Sequence, residues 1–401
     1  MLRMRAEAEA LLALEVPQNY RKRPRQARSR RTVGTLLDAT EAVLRSHGYL
    51  GASTNRIARA AGISVGSLYQ YFGDKDGLIG AALERALARE ADALAGIADG
   101  ARSRPLREGT ARVVEAVLES RIGQRALLAV LAEHGLRFGP GTTLQLVGKL
   151  QREHPDPMQR LLAGRRAELR EGPVETLRFS ASTLLNAACF AYAVEKPAAL
   201  RPDELSGLLG AAIAGHLTSP PPSREAPAAP ARLLDAERVQ TLLVDSCRSS
   251  GARAALLDEL VFEEQCTLDA LAEGSPEQAC EGMLRFWSES ARGLARAAGS
   301  ATLTSPSLEP DAWSLRAERR ARHLRGWLGA VHGARAAGAP LEAAVFVLGH
   351  AFLEFGLLFA QAREPAEIVE ERIADAAALL GQCVRLAASE PIALTSSAYP
   401  Q

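Results

Sequence analysis

Nowhere in the 401 residues do β-branched or aromatic side chains alternate with polar ones for the length of a strand. Ala, Leu, Arg and Glu dominate, and apolar residues return every three or four positions, the spacing that collects them on one helical face. The chain is therefore expected to be all-α. Breakers at Gly48, Gly62, Gly73, Pro105, Pro140, Gly172-Pro173, Pro197 and Pro202 divide it into helices. The clearest boundary is TSPPPSREAPAAPA at 218–231, a Pro/Ala/Ser-rich linker.

Length and composition narrow the class. With 47% hydrophobic and 24% charged residues, the chain can bury a sizeable core and favours two or three domains over one. No stretch reaches the roughly 18 or more apolar residues without charge that a membrane span requires. The N-terminus is a poor signal peptide, because acids interrupt its short apolar run. Five cysteines without CxxC spacing argue against zinc and a disulfide framework and suit a reducing cytoplasm. A cytoplasmic protein without membrane contact, metal or cofactor is expected.

The net charge of +1 conceals a basic run, RKRPRQARSRR at 21–31, which includes Arg28 and Arg31. Alone, such a run is a solvated arm. Placed just before the segment described next, it suits tracking of phosphates.

That segment is TNRIARAAGISVGSLYQYFGDK, from residue 54. A first helix over 32–47 carries an apolar stripe of Val33, Leu36, Leu37, Thr40, Val43 and Leu44 and ends at Gly48. Ser53, Ser64 and Asp74 are placed to cap the next three helices, and Gly62 to close the second. Ile63 and Leu68 have the spacing of a hydrophobic staple. Two short helices joined by a Gly-containing turn and packed on a longer one make a helix-turn-helix. Ala58, Ala61 and Gly66 are small where helices approach; Ile57, Ile63, Leu68 and Phe72 supply the core. Val65, Ser67, Tyr69, Gln70 and Tyr71 are left for the outer faces. There Ser and Gln can meet base edges and Val a thymine methyl, while Tyr hydroxyls, Thr54 and Lys75 suit phosphates.

The residues HGY at 47–49, STNRIARAAGIS at 53–64 and VGSLYQYFGDKDGL at 65–78 closely resemble the DNA-binding domain of the tetracycline-repressor (TetR/AcrR) family of transcriptional regulators. The resemblance runs from about Arg28 to Leu83. It implies a three-helix DNA-binding head followed by a helical regulatory domain that dimerises and holds an effector pocket. By the same resemblance, Thr54 and Asn55 open the supporting helix. Ser64, Val65, Gly66, Ser67, Tyr69, Gln70 and Tyr71 belong to the recognition helix, and Lys75 binds phosphate at the start of the fourth.

The second half echoes the first. GPVETLRFSASTLLNAACFAYA at 172–193 parallels GAPLEAAVFVLGHAFLEFGLLFA at 338–360. Glu175 and Glu342, like Phe179 and Phe346, stand 167 residues apart, and 203–217 parallels 369–384. No second recognition segment follows residue 231. The expected organisation is a basic, disordered arm over 1–27, a helix-turn-helix over 28–76 and a regulatory domain over 77–217. The linker over 218–231, a second regulatory-like domain over 232–388 and a tail over 389–401 complete it. Either the two regulatory-like domains pair inside one chain as a pseudo-dimer, or two chains pair and present two heads.

Signals for an effector site are weaker. His350 interrupts an apolar run with Glu354 one turn on, and Asn186 interrupts another; each is a candidate pocket anchor or a satisfied core group. Trp287, Trp313, Trp327, Phe346, Phe352, Phe355 and Phe359 could line a cavity or simply pack. RAERRARHLRGW at 316–327 reads as a solvated basic face, and the Glu153-His154-Pro155-Asp156 set as a loop. No phosphate-cradling loop, GxSxG or HExxH points to an enzyme. The reading is a regulator of double-stranded DNA, expected to be a repressor released by a small-molecule effector. The alternative is a non-catalytic helical adaptor with a vestigial head.

Overall fold

The computed structural model describes residues 26–134, 156–220, 250–298, 310–331, 339–362 and 364–388. Most of the basic arm and linker, all of the tail, and Glu153, His154 and Pro155 lie outside them. Every regular element among the described residues is a helix. Besides a 3-10 turn at Arg166–Glu168, the α-helices in chain order are α1 (Ala27–Gly51), α2 (Thr54–Ala61), α3 (Val65–Tyr71), α4 (Lys75–Ala101), α5 (Leu106–Gly123), α6 (Arg125–His134) and α7 (Pro157–Leu162). There follow α8 (Val174–Glu195), α9 (Pro202–Thr218), α10 (Ser250–Ala270), α11 (Pro276–Ala298), α12 (Pro310–Val331), α13 (Ala339–Gln361) and α14 (Ala366–Ala388). Among the described residues they gather into two compact units, one within 26–100, 116–134, 156–161 and 192–196, the other within 101–115, 162–191, 197–220 and the described residues from 250 to 388.

In the first unit α1 begins five residues earlier than its apolar stripe requires. Ser29 supplies the reason: its hydroxyl accepts from Gln26 N at 3.2 Å and donates to Gln26 O at 2.8 Å, closing the first turn. The helical geometry breaks at Gly48, whose φ of 63° a residue with a Cβ adopts reluctantly. Val33, Leu36, Leu37, Val43 and Leu44 are buried with Ile57, Leu68, Phe72, Leu78 and Ile79, and α6 adds Leu127, Val130 and Leu131. Long-range ion pairs tie α1 to α4: Arg85 to Asp38 at 2.6 Å and to Glu41 at 2.8 Å, and Arg89 to Glu41 at 2.6 Å. Glu90 is buried and accepts from Ser120 Oγ and Arg121 Nη1, both at 2.8 Å.

In the second unit α11, α13 and α14 pack on one another, α9 lies on α13 and α14, and α12 on α13. Phe286, Phe352, Phe355 and Phe359 are fully buried at their centre. The span Pro340–Ala360 is long and apolar enough to cross a membrane, which a strict requirement for uncharged residues misses; 59% of it is buried against these neighbours. In the 316–327 stretch Arg319 and Arg322 are exposed, as expected of a solvated face, but Arg320 departs from it. Arg320 is buried and donates to both Glu264 oxygens, at 2.5 and 2.7 Å, and to Gly349 O at 2.9 Å. Trp287 Nε1 donates to the same carboxylate at 3.1 Å. A buried charge is tolerated only when paired and hydrogen-bonded, and this one is both.

Candidate nucleic-acid interface

Local sequence builds the head. Ser53 caps α2 by accepting from Arg56 N at 3.2 Å, and Ser64 caps α3 by accepting from Ser67 N at 3.2 Å. Asp74 accepts from Gly77 N at 2.7 Å. Gly62 closes α2 in the left-handed region, at φ 65° and ψ 29°. The two serine caps each satisfy an orphan amide of a helix too short to persist alone, and Asp74 does the same at the start of the long α4.

The seven-residue α3 buries only Leu68. Tyr69 and Gln70 are exposed, Ser67 is half-buried with its hydroxyl 2.8 Å from Ser64 Oγ, and the Tyr69 hydroxyl lies 3.3 Å from Thr54 Oγ1. Asn55, Arg28 and Arg31 are exposed. Two expectations need correction. Val65 and Tyr71 are half-buried and pack against the head core, so they do not lie freely on the outer face. Gly66 is not a site of close helix approach: it is exposed, and a methyl group there would meet nothing within 4 Å. Folding of the head therefore does not demand its smallness.

Lys75 is held in place. Its ammonium donates to Tyr49 O at 2.9 Å and stands 3.7 Å from the centre of the Tyr49 ring, while Tyr49 OH donates to Asp76 Oδ1 at 2.7 Å. Tyr49 thus orients the lysine from 26 residues away, a role that no sequence spacing announces.

The expected effector residues lie in the second unit. Asn186 is exposed on α8 and donates to Ser182 O at 2.9 Å. His350 is half-buried, its ring 4.6 Å from that of Phe346. Glu354 keeps exposed surface, yet crowding by protein raises its pKa while His350 pulls it down. The aromatic residues are mainly packing: Trp287, Trp327, Phe352, Phe355 and Phe359 are buried and Phe346 half-buried, while the Trp313 side chain lies outside the described set. A cleft of about 540 Å³ lies elsewhere, between α10 and α12, lined by Gln265, Asp269, Arg319, Arg322, His323 and Trp327 among others. Among the described residues no cluster could hold a metal ion.

Residues 36–82 match the family described as bacterial regulatory proteins, tetR family. Residues 36–82 are thus a tetR-family DNA-binding domain by sequence. The HTH-type transcriptional regulator BetI 2 of Chromohalobacter salexigens is 34% identical over 104 residues, 26% of this chain and 48% of that protein. The chain thus spans about half the length of this curated relative. Among solved structures, the fatty acid degradation regulator FadR of Bacillus halodurans aligns with 46% of this chain and 98% of its own, at 18% identity and a TM-score of 0.36. A protein from Mesorhizobium loti described as a tetR-family transcriptional regulator aligns with 47% and 96%, at 20% identity and 0.38. The tetR-family match falls on α1 to α4, where the caps, the outward side chains of α3 and the oriented lysine are found.

Proposed function

We propose that this chain is a DNA-binding transcriptional regulator that acts as a repressor and leaves its operator when a small molecule occupies the second unit. One observation carries the reading: α3 commits a single side chain fully to the core and turns Gly66, Tyr69 and Gln70 outward beside an oriented cation. A helix with this exposure fits the major groove, with Gln70 and Ser67 at base edges and Val65 at the edge of the contact. Thr54, Asn55, Ser64, Tyr71 and Lys75 face phosphates in this reading, and Gly66 allows the DNA backbone close approach. Arg28 and Arg31, exposed on the first turns of α1, extend the phosphate track toward the basic arm.

Effector control requires a second site whose occupancy changes DNA affinity by a measurable factor. We assign its polar anchors to His350 and Glu354, one turn apart on α13, with Asn186 on α8 as a further candidate. The setting is the cytoplasm, where the operator is. Fluorescence anisotropy on DNA from upstream of the gene, across a salt series, tests the first part. Sequence-selective binding with a steep salt slope is the expected outcome. Binding that lacks both would replace this reading with the adaptor. Effector candidates are tested by thermal shift, and His350→Ala should abolish any shift.

A further inference from the structure

The 167-residue echo between the two halves extends into their burial. Positions 208–210, 212–214, 216 and 217 of α9 are buried, and the positions 167 further on, 375–377, 379–381, 383 and 384 of α14, are buried too. The two helices pack on each other. At Gly215, a methyl group would lie 3.7 Å from Gln382 Oε1, its own 167-residue counterpart. Like meeting like is the mark of a two-fold axis, and the contact repeats the self-complementary form of a symmetric dimer inside one chain. The flanking helices join it. Phe179 of α8 places its ring 6.3 and 6.0 Å from Phe355 and Phe359 of α13, Arg372 of α14 stands 4.4 Å over the same ring, and Thr176 donates to Glu371 at 2.9 Å.

One contact breaks the symmetry. His216 Nε2 is 3.1 Å from Asp375 Oδ2, Arg170 pairs with Asp375 Oδ1, and Arg170 Nε donates to His216 O at 2.8 Å. All three side chains are more than nine-tenths buried. A two-fold would pair the counterparts as well, Leu208 with Cys383, and both are buried and carry no charge. The polar set therefore exists on one side of the axis only. If α9 met α9 of a second copy in this register, each His216 would face Leu208. If α14 met α14, each Asp375 would face Cys383. Either arrangement buries polar groups without partners, whereas α9 with α14 satisfies them.

We infer that His216 and Asp375 are a pairing code that commits α9 to α14 of the same chain and rejects a second copy on this surface. The chain then works as a single-headed monomer with an internal two-fold. The inference does not rest on DNA binding, and its test reads mass and cross-linking alone.

Light scattering on the full chain should give one-chain mass, 42.7 kDa, across the micromolar range. A two-chain mass would overturn the inference. Gly215→Cys with Gln382→Cys should form a disulfide within one chain, while Gly215→Cys alone should form none beyond wild type. A two-chain disulfide from the single variant would place two copies of α9 together and overturn it. Finally, His216→Leu with Asp375→Asn keeps an acceptor for Arg170 and removes the mismatch against self-pairing. It should raise the two-chain fraction about ten-fold at a given concentration. A folded variant that stays as monomeric as wild type would show that the pair is not the code; the cysteine result stands whether or not that variant folds.

Discussion

The head and the bundle around α14 use their side chains in opposite ways. Helix α3 fully buries Leu68 alone and leaves Tyr69 and Gln70 outside, and it is held by Ser64 at one end, Leu68 beneath and the half-buried Val65 and Tyr71. Helix α14 buries Val369, Ile373, Leu379, Leu380, Val384 and six other residues along with Asp375, whose charge is matched by partners far away in the chain. A surface that must meet a variable outside partner stays polar and locally supported. A surface that must meet one fixed partner becomes apolar, with a few charges that fit only that partner.

The largest expected effect lies in the bundle. Glu264→Leu leaves the Arg320 guanidinium buried without its carboxylate and should lower unfolding stability by about 3–5 kcal/mol. Urea denaturation measures it, and a loss under 1 kcal/mol would mean that the site relaxes as freely as the head surface. Acid probes the same region through Asp375. Burial opposes its charge, but the hydrogen bond and charge of His216, with Arg170, outweigh burial and hold the carboxyl below its usual range. A depressed pKa contributes stability that is complete above the unfolded value and is lost as pH falls through the folded one. Unfolding midpoints should therefore drop below about pH 4, and Asp375→Asn should flatten that part of the profile.

Effects in the head should fall on binding rather than folding. Gln70→Ala should cost about 1–3 kcal/mol at a specific operator and little elsewhere, while Lys75→Ala weakens binding to every DNA and lowers the salt slope by about one. Identical behaviour of the two across sequences would remove the distinction between base and phosphate contacts. Ser64→Ala removes the α3 cap and should cost about 1 kcal/mol of stability by thermal denaturation. Smallest and opposite in sign, Gly66→Ala should stabilise the free protein by up to about 1 kcal/mol, because Ala is the better helix former and the space is open. The same change should weaken DNA binding if a phosphate backbone approaches there. Weakened folding would instead restore the close-packing role first expected of Gly66.

What could be read along the chain follows the range of the interaction. Ser53, Ser64 and Asp74 each cap a backbone amide three residues ahead, so their roles are written in a window of four letters. The stripe Val33, Leu36, Leu37, Val43 and Leu44 is legible for the same reason. Arg320 reads as one more surface arginine, because its partner Glu264 lies 56 residues away. Tyr49 and Lys75 show the same limit within the head, and Val65 and Tyr71 show that a short helix has no fully free face once it lies on a core.

The sequence by itself determined the helices and their caps, since each is set by contacts within a turn or two of helix, and its resemblance to a known family marked the head. Only the tertiary structure decided which charges are buried, that Gly66 stands in open space, and that α9 lies against α14 with His216 facing Asp375 159 residues away. The physical reason is that helical periodicity records which face is apolar but not which other face will cover it. That choice is made by fit and by the cost of leaving buried polar groups without a partner.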